Sequence, residues 1–287
     1  MPNSTANIWQ TARFSLDLGP RPLVMGIVNA TPDSFSDGGR HSAAAQACAH
    51  CDQLLAEGVD ILDIGGESTR PGSLTPPVDV ELERVLPVIR HAVTLGVPVS
   101  VDTSRAEVIA AALEAGADIV NDVRALRWPK ALETVAGHAR AGVCLMHMQG
   151  EPATMQQAPL YRDVVEEVRA FLHERLNALE AAGVAAERVV LDPGYGFGKS
   201  QEHNLSLFRL QPRLLQIGRP LLVGWSRKGT LGQLTGRPVD QRLPASVGAA
   251  LAAVAHGARI VRVHDVAATV DALKVWNAAG LGMARPA

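Results

Sequence analysis

Eight times along this chain, a short apolar run is followed by a longer segment with helical spacing. The runs are Leu23–Val28, Val59–Ile64, Val97–Val101, Ile119–Val120, Val143–Met146, Val189–Leu191, Leu221–Val223 and Ile260–Val263. The helical segments lie near Ser42–Glu57, Val80–Leu95, Ala106–Ala115, Lys130–His138, Arg162–Ala182, Leu205–Leu215, Ala245–His256 and Ala267–Ala278. Eight strand–helix units with no break in composition predict an α/β chain closed into a single (β/α)8 barrel over residues 21–287. Residues 1–20 are left as an N-terminal extension, read as a short hairpin closing the barrel bottom. A doubly wound sheet is the alternative, but no Gly-x-Gly-x-x-Gly follows the first strand.

Local signals agree with these boundaries. Gly58, Gly96 and Gly116 each follow a helical pattern, where a left-handed residue ends a helix. Ser104 and Glu107 have the spacing of a capping box at the start of the third helix. The connections Thr31–His41 and Gly65–Val78 are long and follow strands. They are therefore expected as lids on the face where such barrels place active sites.

Composition removes several classes of partner. A formal net charge of −2, with lysine only at 130, 199, 228 and 274, leaves no polybasic footprint for nucleic acid or anionic membrane. Aromatics at 4% disfavour a base-stacking surface. No apolar run approaches a membrane span, and the N-terminus does not read as a signal peptide. Cys48, Cys51 and Cys144 suggest no disulfide framework; Cys48-x-x-Cys51 falls within a helical pattern and reads as core. The expected compartment is the cytoplasm.

Each predicted strand delivers a polar group at its C-terminal end. In order these are Asn29, Asp63, Asp102, Asn121 with Asp122, His147, Asp192, Ser226-Arg227-Lys228, and Arg262 with His264-Asp265. One such residue could be a helix cap or a solvated turn; eight on one rim describe an active site. Asp102, Asn121 and Asp192 suit a flat heterocycle that presents N–H donors and ring nitrogens, and Lys228 can donate to a ring carbonyl or imine. Arg70, Arg262 and His264, with Ser68, Thr69 and backbone N–H groups, have the chemistry of an anion clamp. The ligand implied is a polar heterocycle carrying phosphate.

Several segments sharpen this. Asn29 to Gly39 reads Asn-Ala-Thr-Pro-Asp-Ser-Phe-Ser-Asp-Gly-Gly, and Asp63 to Gly72 reads Asp-Ile-Gly-Gly-Glu-Ser-Thr-Arg-Pro-Gly. Val101–Ser104, Asn121–Arg124, Met146–Met148, Asp192–Lys199, Ser226–Lys228 and Arg262–Asp265 complete the set. From about Leu23 to Trp276 the chain resembles the dihydropteroate synthase family of folate-pathway, pterin-binding barrels. The resemblance implies that Asp102, Asn121, Asp192 and Lys228 grip the pterin ring. It implies that Asn29 ligates Mg2+ and, with Thr69, Arg262 and His264, holds a diphosphate; Arg70 and Val263 belong to the same substrate-binding set. Phe35, Pro71, Phe197 and Lys228 would frame a p-aminobenzoate pocket, and Met146 and Ile27 would supply apolar floor. Asp102, Asp192 and Lys228 would be the catalytic groups of a Mg-dependent transferase that condenses 6-hydroxymethyl-7,8-dihydropterin diphosphate with p-aminobenzoate. The family implies a homodimer packed through late helices, with Ala245–Ala255 as a candidate face.

Two other readings share the ring-binding groups. A barrel that passes a methyl group from a reduced folate to a corrinoid protein would not need the anion clamp. A pterin-binding paralogue without turnover would have no use for Asn29, Arg70, Arg262 and His264 together. Gly194 to Ser200 looks like a phosphate loop, but Pro193 occupies the position of its first glycine. Gly224-Trp225-Ser226 starts like a nucleophile elbow, but Lys228 stands where the closing glycine belongs. Asp33 and Asp37 are metal candidates that turn chemistry also explains. Three positions depart from the family pattern. Ala30 replaces a common valine, and Trp225 is bulkier than usual. Gly229 replaces a frequent serine, leaving its backbone N–H and Thr230 to meet the p-aminobenzoate carboxylate at a helix N-terminus.

Overall fold

A computed structural model describes residues 7–31, 39–68 and 72–281. Eight parallel strands close into a barrel in the order β10-β3-β4-β5-β6-β7-β8-β9. They are β3 Leu23–Asn29, β4 Ile61–Gly65, β5 Val99–Asp102, β6 Ile119–Asp122, β7 Gly142–Met146, β8 Val189–Asp192, β9 Leu221–Val223 and β10 Ala258–Val263. Helices follow in turn as α1 Gly39–Ala56, α2 Val78–Val93, α3 Ala106–Glu114, α4 Ala131–Gly137, α5 Val164–Ala181, α6 Gln201–Arg209, α7 Gly229–Thr235, α8 Leu243–Ala255 and α9 Val266–Ala278. The (β/α)8 barrel expected from the alternation is the observed fold. Gly58, Gly96 and Gly116 all have positive φ, as helix-ending positions require.

Side chains alternate across a strand, so each strand faces the barrel interior at every second residue. Leu23, Met25, Ile61, Ile119, Cys144, Val190, Leu222 and Ile260 form one inner apolar cluster. The intervening residues, among them Val24, Leu62, Val120, Leu145, Leu191 and Val261, join a larger core shared with the helices. The inner cluster is closed by Trp9 and Leu18, both fully buried. Trp9 comes from a two-stranded antiparallel hairpin, β1 Ile8–Gln10 and β2 Ser15–Asp17. Its indole N–H donates to the Arg188 carbonyl at 2.9 Å, so its one polar atom is satisfied inside the plug.

Three local expectations need correction. The segment Leu205–Leu215 is not one helix. Ser200 caps α6 early, accepting from the His203 N–H at 3.1 Å. The helix stops at Arg209 and a 3-10 turn takes over at Gln211–Ile217, where Pro212 has no N–H to continue α6. The seven-residue α7 is absent from the helices read by spacing, because Gly229 and Gly232 lower its apparent propensity, and only the family resemblance places a helix N-terminus at Gly229. Ser104 does not cap α3, which has Arg105 as its N-cap residue; its hydroxyl donates instead to the Asp122 carboxylate.

Candidate active site

The barrel becomes polar two residues beyond its inner apolar cluster. Ile61 is succeeded on the inner face by Asp63, Ile119 by Asn121, Val190 by Asp192 and Ile260 by Arg262. On β5 the fully buried Ser100 is succeeded by Asp102. Asn29 ends β3, in register with Gly65, which is itself in register with Asp102. The floor of the site is thus the first polar layer above an apolar plug.

Arg262 organises that layer. Its Nε donates to Asp63 Oδ2 at 2.6 Å and an Nη donates to Asp102 Oδ2 at 2.7 Å. Asn121 donates its amide N–H to the same Asp63 oxygen at 3.1 Å. Burial alone would lower the guanidinium pKa, but the facing carboxylates of Asp63 and Asp102 hold it above its ordinary value. One cation shared by two carboxylates does not satisfy both. Burial, with Asp63, Glu67 and Asp122 nearby, pushes Asp102 up to about 8 in spite of Arg262.

Opposite this pair, Asp192 accepts the Gly194 N–H at 2.7 Å. Burial raises its pKa, opposed by Lys228, Arg262 and Lys199. Lys228, at the N-cap of α7, donates to the Tyr195 carbonyl and lies 4.8 Å from the centre of the Phe197 ring. Burial lowers its ammonium to about 8, with Asp192 opposing. Met146 and Phe197 pack together with Val123, Met148 and Met155 as an apolar patch. Ile27 is also buried on the inner face. At the end of β10, His264 sets its backbone N–H 3.2 Å and its Nδ1 3.0 Å from Ser226 Oγ.

The structure therefore brings Asp102, Asn121, Asp192, Lys228 and Arg262 into one floor, with Met146 and Phe197 beside it. Arg262 lies on two carboxylates rather than in a separate clamp. Val263 faces away, in the core shared with the helices, so its side chain is not on the site. Trp225 faces away as well, stacking 4.5 Å from Tyr195 and packing 4.8 Å from Phe208. Its bulk fills the outer layer and does not narrow the pocket. Phe35, Thr69, Arg70 and Pro71, together with Asp33 and Asp37, lie outside the described residues.

Two networks were not singled out from sequence. Arg124 is buried beside Glu67 at 3.4 Å and Glu151 at 2.9 Å, and donates to Ser104 Oγ at 3.1 Å. It joins the loop after β4 to the loop after β7. Lys199 is buried against His147, 2.9 Å from its Nδ1. Asp63 was visible as a strand-end residue, but its place under Arg262 follows only from register. Counting two positions on from Ile61 along the inward face would have found it.

Two carboxylates, an amide and a lysine on one barrel rim have the chemistry to meet a flat polar ring, and the chain belongs to the pterin-binding enzyme family, whose pattern matches residues 25–264. Within it the chain belongs with the dihydropteroate synthases. That of Neisseria meningitidis serogroup B is 53% identical over 283 residues, covering 96% of this chain and 99% of the relative. The Xanthomonas albilineans dihydropteroate synthase with 4-aminobenzoic acid superposes with a TM-score of 0.90 at 52% identity, covering 98% of this chain and 100% of that one. The Burkholderia cenocepacia dihydropteroate synthase complexed with 7,8-dihydropteroate gives 0.87 at 50% identity, covering 96% of each chain.

Proposed function

We propose that this protein condenses 6-hydroxymethyl-7,8-dihydropterin diphosphate with p-aminobenzoate, releasing diphosphate and 7,8-dihydropteroate. The observation that carries the reading is the floor built on Arg262, where Asp63, Asp102 and Asn121 meet on one side and Asp192 and Lys228 on the other. A pterin ring has donors and acceptors on its edge, and this floor has the complementary set. Asp192 and Asn121 hold the edge, and Lys228 donates to a ring oxygen or nitrogen. As the C–O bond to diphosphate breaks, positive charge spreads from the exocyclic carbon into the ring, where Asp192, and Asp102 in its ionised form, stabilise it. The aniline nitrogen then forms the C–N bond and gives up its proton. A neutral aniline needs no strong base, so positioning and electrostatics carry the step. Phe197 and the Lys228 stem offer the benzoate ring an apolar wall.

The reading includes Mg2+. No group of three or more His, Cys, Asp or Glu side chains among the described residues could cage a metal. That donor set fits an ion carried mainly by phosphate oxygens and water, with a single protein amide, Asn29, at its edge. When bound, Mg2+ would neutralise charge on the leaving diphosphate. We also infer a homodimer packed through late helices, and a cytoplasmic location, in keeping with the unpaired Cys48, Cys51 and Cys144.

The test is diphosphate release from the dihydropterin diphosphate with Mg2+, with and without p-aminobenzoate, in wild type and Asn29→Ala. Turnover to dihydropteroate that is lost in the variant supports both the reaction and the place of the metal. Pterin binding without diphosphate release would overturn the transferase reading. Equal turnover with and without Mg2+ would remove the metal from it.

A further inference from the structure

The turn after β8, Pro193 to Ser200, carries three features of the site. The Gly194 N–H holds Asp192, the Tyr195 carbonyl receives Lys228, and the Phe197 ring lies beside the Lys228 ammonium. A turn with glycine at 194, 196 and 198, all at positive φ, does not hold such a shape by its own preference. It is held by donors to its carbonyls. Gln156 donates to Gly196 at 2.6 Å and Tyr161 to Gly198 at 2.7 Å, while Asn204 donates to Lys199 at 3.2 Å. The Gly194 and Phe197 carbonyls receive the Lys199 side-chain nitrogen at 2.9 and 3.1 Å, and Gly194 also takes the Phe197 N–H at 3.1 Å.

Lys199 is only 2% exposed, and among the described residues no carboxylate pairs with it. A buried cation is costly unless its donors are all used. Here the remaining proton goes to His147, whose Nδ1 is 2.9 Å away, with the His147 carbonyl at 3.4 Å. Burial and the Lys228 charge push the Lys199 pKa well down, with Asp192 opposing, and an N–H donated at 2.9 Å leaves the imidazole neutral with its proton on Nε2. Burial and Lys199 accordingly hold the His147 pKa far down, at about 2. Edge-to-face contact with Phe171 at 4.9 Å fixes the ring. Lys199 therefore ties the glycine turn to the end of β7. Its hydrogen bonds reach no side chain of the Arg262 floor.

We propose that Lys199 is a positioning residue of the transferase: its ammonium fastens the turn after β8 to His147 and so aims Asp192, Lys228 and Phe197. The inference rests on the reaction proposed above, and wild-type turnover separates the two. If wild type fails to form dihydropteroate, that reading fails; if wild type turns over, the variants decide the role of Lys199.

The variants are Lys199→Met, which keeps the stem and removes the charge, and His147→Gln, whose amide oxygen can accept in place of Nδ1. Each is measured for melting temperature, for kcat and KM toward p-aminobenzoate and the pterin diphosphate, and for the pH profile of kcat/KM. Displacing a positioned group by an ångström costs about 100-fold, so Lys199→Met is expected to lose 10- to 100-fold in kcat/KM. The loss should be shared by kcat and the KM for p-aminobenzoate. Asp192 faces Lys228 and Arg262 as well as Lys199, and losing one of three cations should move the acid limb of the profile to higher pH. His147→Gln should stay within about threefold of wild type, since it restores the acceptor. If Lys199→Met does not fold, His147→Leu, with the lysine intact, should show a smaller change of the same kind. A Lys199→Met protein that melts lower but keeps wild-type kcat, KM and acid limb would make the lysine merely structural and overturn the proposal. Unchanged kinetics in His147→Leu would do the same.

Discussion

Arg262 is one positive charge between two buried carboxylates, and its removal should be felt twice. Arg262→Met leaves the buried Asp63 without its cation and removes the N–H donor to Asp102. Breaking a buried pair on one side costs about 3–5 kcal/mol, so denaturant unfolding should show a loss of that order along with loss of pterin binding. Asp102 gives a second prediction. Burial raises its folded-state pKa from 3.8 to about 8, so the folded protein holds a proton that the unfolded chain releases. Its contribution to stability is full below the unfolded pKa and is lost as the pH climbs toward 8. Melting temperature should fall across that window in wild type and fall less in Asp102→Asn, which cannot ionise. Parallel curves for the two proteins would refute the assignment. These residues were legible as polar strand ends, whereas their pairing was not. Register between strands decides who meets whom, and alternation along one strand does not supply it. Val263 is the converse case: it adjoins Arg262 in the chain and, by alternation, faces the opposite side of the sheet.

Among the elements, the strands and most helices could be read directly, because buried runs and helical spacing leave strong marks. What spacing does not show is short or irregular: α7 with its glycines, whose start only the family resemblance marks, and the break of α6 before Pro212. The hairpin at the barrel bottom makes a clear case for an element whose work is stability. Trp9→Ala would open a cavity against Leu23, Met25, Ile61 and Ile119 and orphan the Arg188 carbonyl. A cost of about 3–5 kcal/mol is expected, with kcat and KM of the folded protein unchanged, since the plug lies below the floor. At the other end of the barrel, Gly229 begins α7 next to Lys228, with nothing within 4 Å of a Cβ built on it. Gly229→Ser should therefore be tolerated, gaining up to about 0.5–1 kcal/mol from lost glycine entropy. If the p-aminobenzoate carboxylate docks at this N-terminus, the added hydroxyl should lower its KM. An unchanged KM would place that carboxylate elsewhere.

For the whole molecule, the same accounting of faces bears on assembly. The small residues of α8 offered a candidate dimer face in sequence. In the fold, Ala249, Ala250, Ala253 and Val254 are spent against the barrel. The large apolar side chains left exposed late among the described residues are Leu234, Val239, Leu243, Val275 and Leu281. Val275 on α9 is 70% exposed, and Leu281 folds back with its N–H on the Trp276 carbonyl at 3.2 Å. A homodimer packed through α9 would bury Val275. A charge at the centre of such a face costs several kcal/mol when it has no partner across the interface. Val275→Glu should therefore convert a dimer to a monomer in sedimentation velocity at micromolar concentration, while the variant keeps the wild-type melting transition of its barrel. Because the floor built on Arg262 is completed within one chain, the monomer should still bind the pterin. Wild type sedimenting as a monomer would refute the homodimer, and a Val275→Glu dimer would move its interface off α9.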